Sequence, residues 1–131
     1  MEQELVLEER RDQVAVLTLN RPQAMNSFNF AMLRALKEKM EAIHFDPEVR
    51  VAVVVGAGEK AFCAGADLKE RATLSEVEVK RFIFTIRNLF TFIESLSKPV
   101  IAAVNGVALE GARSWPWPAT FASLRRRRAW D

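Results

Sequence analysis

Residues 51–55 read Val51-Ala52-Val53-Val54-Val55, and this run decides the fold class. Five apolar residues in succession, mostly Val, suit a strand buried on both faces of a parallel sheet. Toward the N-terminus, Asn29 to His44 has helical spacing. Met32, Leu33, Leu36, Met40 and Ile43 recur on one face, Lys37, Lys39 and Glu41 lie between them, and Asp46-Pro47 closes the unit. Earlier still, Val14 to Leu19 (V-A-V-L-T-L) predicts a second strand ended by Asn20-Arg21-Pro22, and Leu5 to Glu9 a short edge strand. Toward the C-terminus, Gly56 to Lys60 reads as a loop and Leu68 to Ala72 as a short helical turn. Ser75-Glu76-Val77-Glu78 is a capping box that opens a helix to about Leu96. Val79, Phe82, Ile83, Ile86, Phe90 and Ile93 form its apolar stripe, and Lys98-Pro99 stops it. Val100 to Val104 is a further apolar strand, followed by the turn Asn105-Gly106. The order strand, strand, helix, strand, helix, strand predicts an α/β fold, a mostly parallel sheet with crossover helices.

The 131 residues are 50% hydrophobic and 27% charged, enough for one domain with a real core. One Cys excludes a disulfide framework and a multi-Cys metal site, and one His excludes a His-rich cluster. No apolar run approaches the roughly 20 residues of a membrane helix. The start, MEQELVLEER, is acidic and without an apolar signal core, so export is not expected. The net charge of +2 hides a break. Five of the 19 basic residues but one of the 17 acidic ones lie in 112–131, leaving 14 against 16, a net of −2, in 1–111. Trp115, Trp117 and Trp130, all the tryptophans of the chain, lie beyond the same boundary, with Pro116, Pro118 and the run Arg125 to Arg128. The chain therefore divides into a body, 1–111, and a basic Trp/Pro tail, 112–131.

In parallel sheets ligands gather at the carboxyl ends of strands. Two stretches qualify: Ala61-Phe62-Cys63-Ala64-Gly65-Ala66-Asp67-Leu68, and Asn105-Gly106-Val107-Ala108-Leu109-Glu110-Gly111. Small side chains let a ligand approach the backbone, whose N–H groups can then stabilise an oxygen that becomes negative. The same composition also makes simple tight connections. Asp67 reads first as an N-cap for the turn it precedes. Cys63 reads as a small core residue, since no His lies near it in sequence. His44 reads as a favourable residue at a helix C-terminus. Lys69 and Arg71 either touch a ligand phosphate or are merely solvated. Asp67 and Glu70 make a carboxylate pair on paper.

Four stretches, V-A-V-L-T-L-N-R-P, V-A-V-V-V-G, A-F-C-A-G-A-D-L-K and K-P-V-I-A-A-V-N-G-V-A-L, make residues 4–111 resemble the N-terminal half of the crotonase superfamily, the enoyl-CoA hydratase/isomerase family. G-A-D-L-K-E-R also resembles the methylglutaconyl-CoA hydratase branch. The resemblance implies a spiral of ββα units, here truncated, and an acyl-CoA thioester substrate. It places the oxyanion-hole N–H groups at Ala66 and Gly111, and Ala24, Ala64, Asp67, Leu68 and Lys69 where the family cradles CoA. It implies a lyase of fatty acid metabolism that adds water to the 2,3 double bond of the thioester. It implies no metal and no cofactor, CoA being part of the substrate, and a homotrimeric or hexameric full-length parent in the cytoplasm or, in a eukaryote, the mitochondrial matrix. An isomerase or another crotonase reaction is the alternative with the same oxyanion hole.

The family's hydratases flank the double bond with two Glu for acid–base work. The first would fall at Ser114 and the second beyond residue 131, so the chain as written is expected to be inactive. The genetic code offers a reason. Trp115-Pro116-Trp117-Pro118 is encoded TGG-CCN-TGG-CCN. Taken from the base before each TGG, it reads NTG-GCC-NTG-GCC, which permits Leu-Ala-Leu-Ala. Extended both ways, the alternative frame permits T-E-L-A-L-A-C-D-L-R, the family's continuation. A nucleotide lost around Gly111 would put 112–131 out of frame. It would account for the Trp, the Pro, the Arg run and the missing Glu together. Arg125 to Arg128 would then carry no specific nucleic-acid site, only phosphate attraction. The different-class alternative is a non-catalytic fragment that binds nucleic acid through this basic tail.

Overall fold

Val14–Leu19 and Val51–Gly56 lie side by side as parallel strands, β2 and β3, with Leu17 opposite Val54 and Leu19 opposite Gly56. Val6–Arg11, β1, pairs antiparallel with β2 on the outer edge. Val100–Val104, β4, continues the sheet parallel to β3 with Ala102 opposite Val54, and Phe121–Arg125, β5, is parallel to β4. The computed structural model describes residues 4–58, 67–104 and 121–125. Within them the five strands run β1-β2-β3-β4-β5 in space, in sequence order. The helices are α1 (Phe30–His44), α2 (Leu68–Thr73) and α3 (Glu76–Glu94). α1 links β2 to β3, and α2 and α3 lie between β3 and β4, so the mostly parallel α/β sheet with crossover helices is the observed architecture.

The pleat explains the core. Alternate residues of β2 and β3, namely Ala15, Leu17, Leu19, Ala52 and Val54, are buried. Against them stand Met32, Leu33, Leu36, Met40 and Ile43, the five apolar positions expected of α1. From α3 come Phe82, Ile86, Leu89, Phe90 and Ile93. Complete burial of one such Leu, Ile, Met or Phe side chain stabilises by about 1.5–3 kcal/mol.

Two expectations need correction. Val51, Val53 and Val55 are only partly buried, so β3 is fully covered on one face rather than two. α1 and α3 pack on the face that carries Ala52 and Val54. On α3, Ile83 is 41% exposed and Leu89 is buried. The inward stripe runs Phe82, Ile86, Leu89, Ile93, steps of three and four, and Ile83 sits one residue round the helix from it. Residues 121–125, within the basic Trp/Pro tail, form β5 beside β4.

The helix ends follow local chemistry. Asn29 caps α1 by accepting from the Met32 amide at 2.8 Å. The Lys98 ammonium donates to the carbonyls of Ile43 and Asp46, where a cation suits the end of α1. His44 is the last residue of α1, as expected. Its ring stands edge-on to Phe45 and Phe92, and its Nδ1 is buried without a hydrogen-bond partner.

Candidate functional site

The carboxyl ends of β2 and β3 lead into two turns that are tied to each other. After β2, Asn20-Arg21 opens a 3₁₀ turn, Pro22–Ala24, with Pro at its first position. Met25 and Asn26 follow in the left-handed region, at φ 54° and 57°. Non-glycine residues are uncommon there, Asn least so. Asn26 is completely buried and braced on both sides. Its Oδ1 accepts from the Arg21 amide at 2.8 Å, and its Nδ2 donates to the Ala57 carbonyl at 2.9 Å, beyond β3. Gly58, at φ +82°, completes the second turn, where a Cβ would meet Pro22 Cβ at 3.3 Å. Both the backbone angle and the close approach require glycine.

The 3₁₀ turn is also fastened to α2. The Arg21 guanidinium donates through one nitrogen to the Ser27 carbonyl at 2.7 Å and through the other to Asp67 Oδ2 at 3.0 Å. Both partners of this ion pair are 13% exposed. Asp67 Oδ1 accepts from the amides of Lys69 at 3.0 Å and Glu70 at 3.2 Å, which makes Asp67 the N-cap of α2 as its position suggested. The Asp67 amide donates to the Phe28 carbonyl at 2.8 Å. Glu70 Oε1 in turn accepts from the amide of Phe30, the first residue of α1, at 3.0 Å. Burial, the largest single influence on Asp67, pushes its pKa up. The Glu70 amide, the Arg21 cation and the Lys69 amide together outweigh burial and hold it below the usual carboxylate value.

The two carboxylates of the paper pair thus serve different helix ends, Asp67 that of α2 and Glu70 that of α1, and each oxygen named is already engaged. Ala24 ends the 3₁₀ turn and is partly buried, and Asp67, Leu68 and Lys69 open α2, with Lys69 exposed. The ties above bring these two groups together. Arg71 is exposed on α2. Cys63, Ala64, Ala66, Glu110, Gly111 and Ser114 lie outside the described residues. Sequence reasoning missed Arg21 and Asn26 as organisers of the site. N-R-P ends a strand and belongs to a family stretch, and neither reading marks Arg21 for a carboxylate 46 positions away. Among the described residues no group of three or more His, Cys, Asp or Glu is placed to hold a metal ion, and no helix is long and apolar enough to cross a membrane.

Residues 9–113 match the model of the enoyl-CoA hydratase/isomerase family. A crotonyl-CoA hydratase of Syntrophomonas wolfei is 41% identical over 111 residues, 85% of this chain and 43% of that protein. A short-chain-enoyl-CoA hydratase of Clostridium acetobutylicum is 42% identical over 111 residues, 85% of this chain and 42% of that protein. Among solved structures, an enoyl-CoA hydratase of Bacillus anthracis superposes with a TM-score of 0.78 at 41% identity, over 82% of this chain and 42% of that one. The chain therefore spans about two fifths of the length of the relatives it matches.

Proposed function

Because the chain belongs to the enoyl-CoA hydratase/isomerase family, we propose that it carries the acyl-CoA-binding part of a hydratase-type site, one whose parent protein adds water across the 2,3 double bond of the thioester. The observation that carries this reading is the docking of the turn containing Ala24 onto the first turn of α2, through the Arg21–Asp67 ion pair and the Asp67 amide. These are two of the stretches that the family resemblance assigns to CoA. Supporting it, two of the relatives named above are a crotonyl-CoA hydratase and a short-chain-enoyl-CoA hydratase.

In this reading the amides of Ala66 and Gly111 donate to the thioester oxygen as it takes on enolate character. Ala64, Leu68 and Lys69 line the CoA moiety together with Ala24. Hydration needs a base to take a proton from water as its oxygen bonds to the β-carbon, and an acid to protonate the α-carbon. Ser114 stands where the first acid–base Glu is expected, and a hydroxyl cannot take that role unaided. We therefore assign the 131-residue chain thioester binding without hydration. We further propose that 112–131 is out of frame and that the parent assembles as a trimer or hexamer. Isomerisation of the double bond shares the oxyanion donors and differs only in the acid–base groups.

The test is to titrate the 131-residue chain with crotonyl-CoA by calorimetry and to follow loss of the enoyl absorbance. Saturable binding without turnover is expected. No binding at millimolar ligand would overturn the reading, and hydration well above background would overturn the assignment of inactivity. Sequencing the coding DNA from Val107 onward decides the frame: one restored base should open T-E-L-A-L-A-C-D.

A further inference from the structure

The organisation around Asp67 has a consequence for ligand binding. One side chain and its own amide make three of the ties at this crossing, beside the bond from the Phe30 amide to Glu70. Oδ2 reaches out to Arg21, Oδ1 reaches into the helix that Asp67 caps, and the amide reaches back to Phe28. Arg21 completes the ring, because the fixed fork of its guanidinium presents one nitrogen to Ser27 and the other to Asp67, a spacing that a single ammonium nitrogen does not reproduce. Between these anchors lie Met25 and Asn26, both in the left-handed region. Such a conformation persists only where the surroundings over-determine it. Asn26 supplies one restraint, through Arg21 and Ala57. The ion pair supplies the other.

We propose that Arg21 and Asp67 form a positioning latch for acyl-CoA, fixing the turn that carries Ala24 at a set distance from the first turn of α2, where Lys69 lies. The proposal rests on the acyl-CoA reading above. Neither residue is assigned contact with the reacting atoms. Both act through the segments they hold, so they are positioning residues.

Two conservative variants separate latching from folding. Asp67→Asn keeps an oxygen that caps α2 and removes the charge that Arg21 faces. Arg21→Lys keeps the charge and removes the fork. Each is measured in the 131-residue chain by crotonyl-CoA titration, by melting temperature and by hydrogen exchange at the Asp67 amide. The expected result is affinity reduced about tenfold at a temperature where the variants remain folded, with faster exchange at that amide. Lys37→Ala, on the exposed face of α1, should leave affinity unchanged. Unaltered affinity in both Asp67→Asn and Arg21→Lys, in a chain whose wild type binds, would overturn the latch alone. Affinity that falls only in step with melting temperature would reduce the pair to a structural role and overturn it equally. A wild-type chain that binds no crotonyl-CoA would overturn the acyl-CoA reading and the latch with it.

Discussion

The N-termini of α2 and α3 are both closed by a side-chain oxygen, and they are closed for different purposes. At α3, Ser75 accepts from the Glu78 amide while Glu78 accepts from the Ser75 amide, a box complete within four residues and open to solvent. At α2, Asp67 caps its own helix and also pairs with Arg21, 46 positions away, at 13% exposure. The first arrangement decides where a helix begins. The second decides where a helix sits relative to another part of the chain. A functional site needs the second kind, since what matters there is the distance between segments that are remote in sequence.

The largest effect should come from Asp67→Ala. It removes the cap of α2 and leaves the Arg21 guanidinium, largely buried, without its carboxylate. Loss of one partner of such a pair, together with a cap, should cost about 2–4 kcal/mol. Urea denaturation of the variant measures it, and a loss under about 1 kcal/mol would place α2 outside the cooperative fold. Gly58→Ala ranks next. It forces a Cβ into the left-handed region and to 3.3 Å from Pro22, for about 1–2 kcal/mol in the same measurement. Ser75→Ala follows, at about 1 kcal/mol, the ordinary worth of an exposed N-cap. If Ser75→Ala proved as costly as Asp67→Ala, the distinction between a local and a shared closure would fail.

The same contrast decides what was legible in the sequence. Val14–Leu19 and Val100–Val104 could be read to the residue, because an apolar run bounded by turn residues carries its own limits. α1 and the capping box of α3 were legible because their signals lie within a few residues. Ile83 was misassigned to the core and Leu89 left out of it. Both are apolar and close to the stripe, and only the placement of α3 against its neighbours chooses between them. Arg21 with Asp67, and Glu70 with the amide of Phe30, were not legible at all. Nothing local distinguishes an arginine destined for a carboxylate 46 positions away from one that is solvated. The cap role of Asp67 could be read, and its tertiary role could not.

Acid sharpens the comparison with the least perturbation. Asp67 and Glu78 are both held below their ordinary carboxylate values in the folded chain. Asp67 does so because two amides and Arg21 outweigh the effect of burial, Glu78 because of the Ser75 amide and hydroxyl. A carboxylate whose folded pKa lies below its unfolded value contributes stability in full above the unfolded value, about 4. That stability is lost as pH falls through the folded value. Both sites therefore lose stability on acidification below about pH 4, and none on going from pH 5 to 7. Substitution by the uncharged amide removes the titration while keeping a hydrogen-bonding oxygen. Glu78→Gln should barely change stability at pH 7, since Gln also completes a capping box, and should flatten the acid limb only slightly because the site is solvated. Asp67→Asn should flatten it more, because protonation there also cancels the pairing with Arg21. Melting temperature followed from pH 7 to pH 2.5 in the two variants compares them directly. A larger flattening at Glu78 than at Asp67 would mean that the charge of Asp67 adds nothing to its cap, and that the turn carrying Ala24 is held by the Asp67 amide and Asn26 instead.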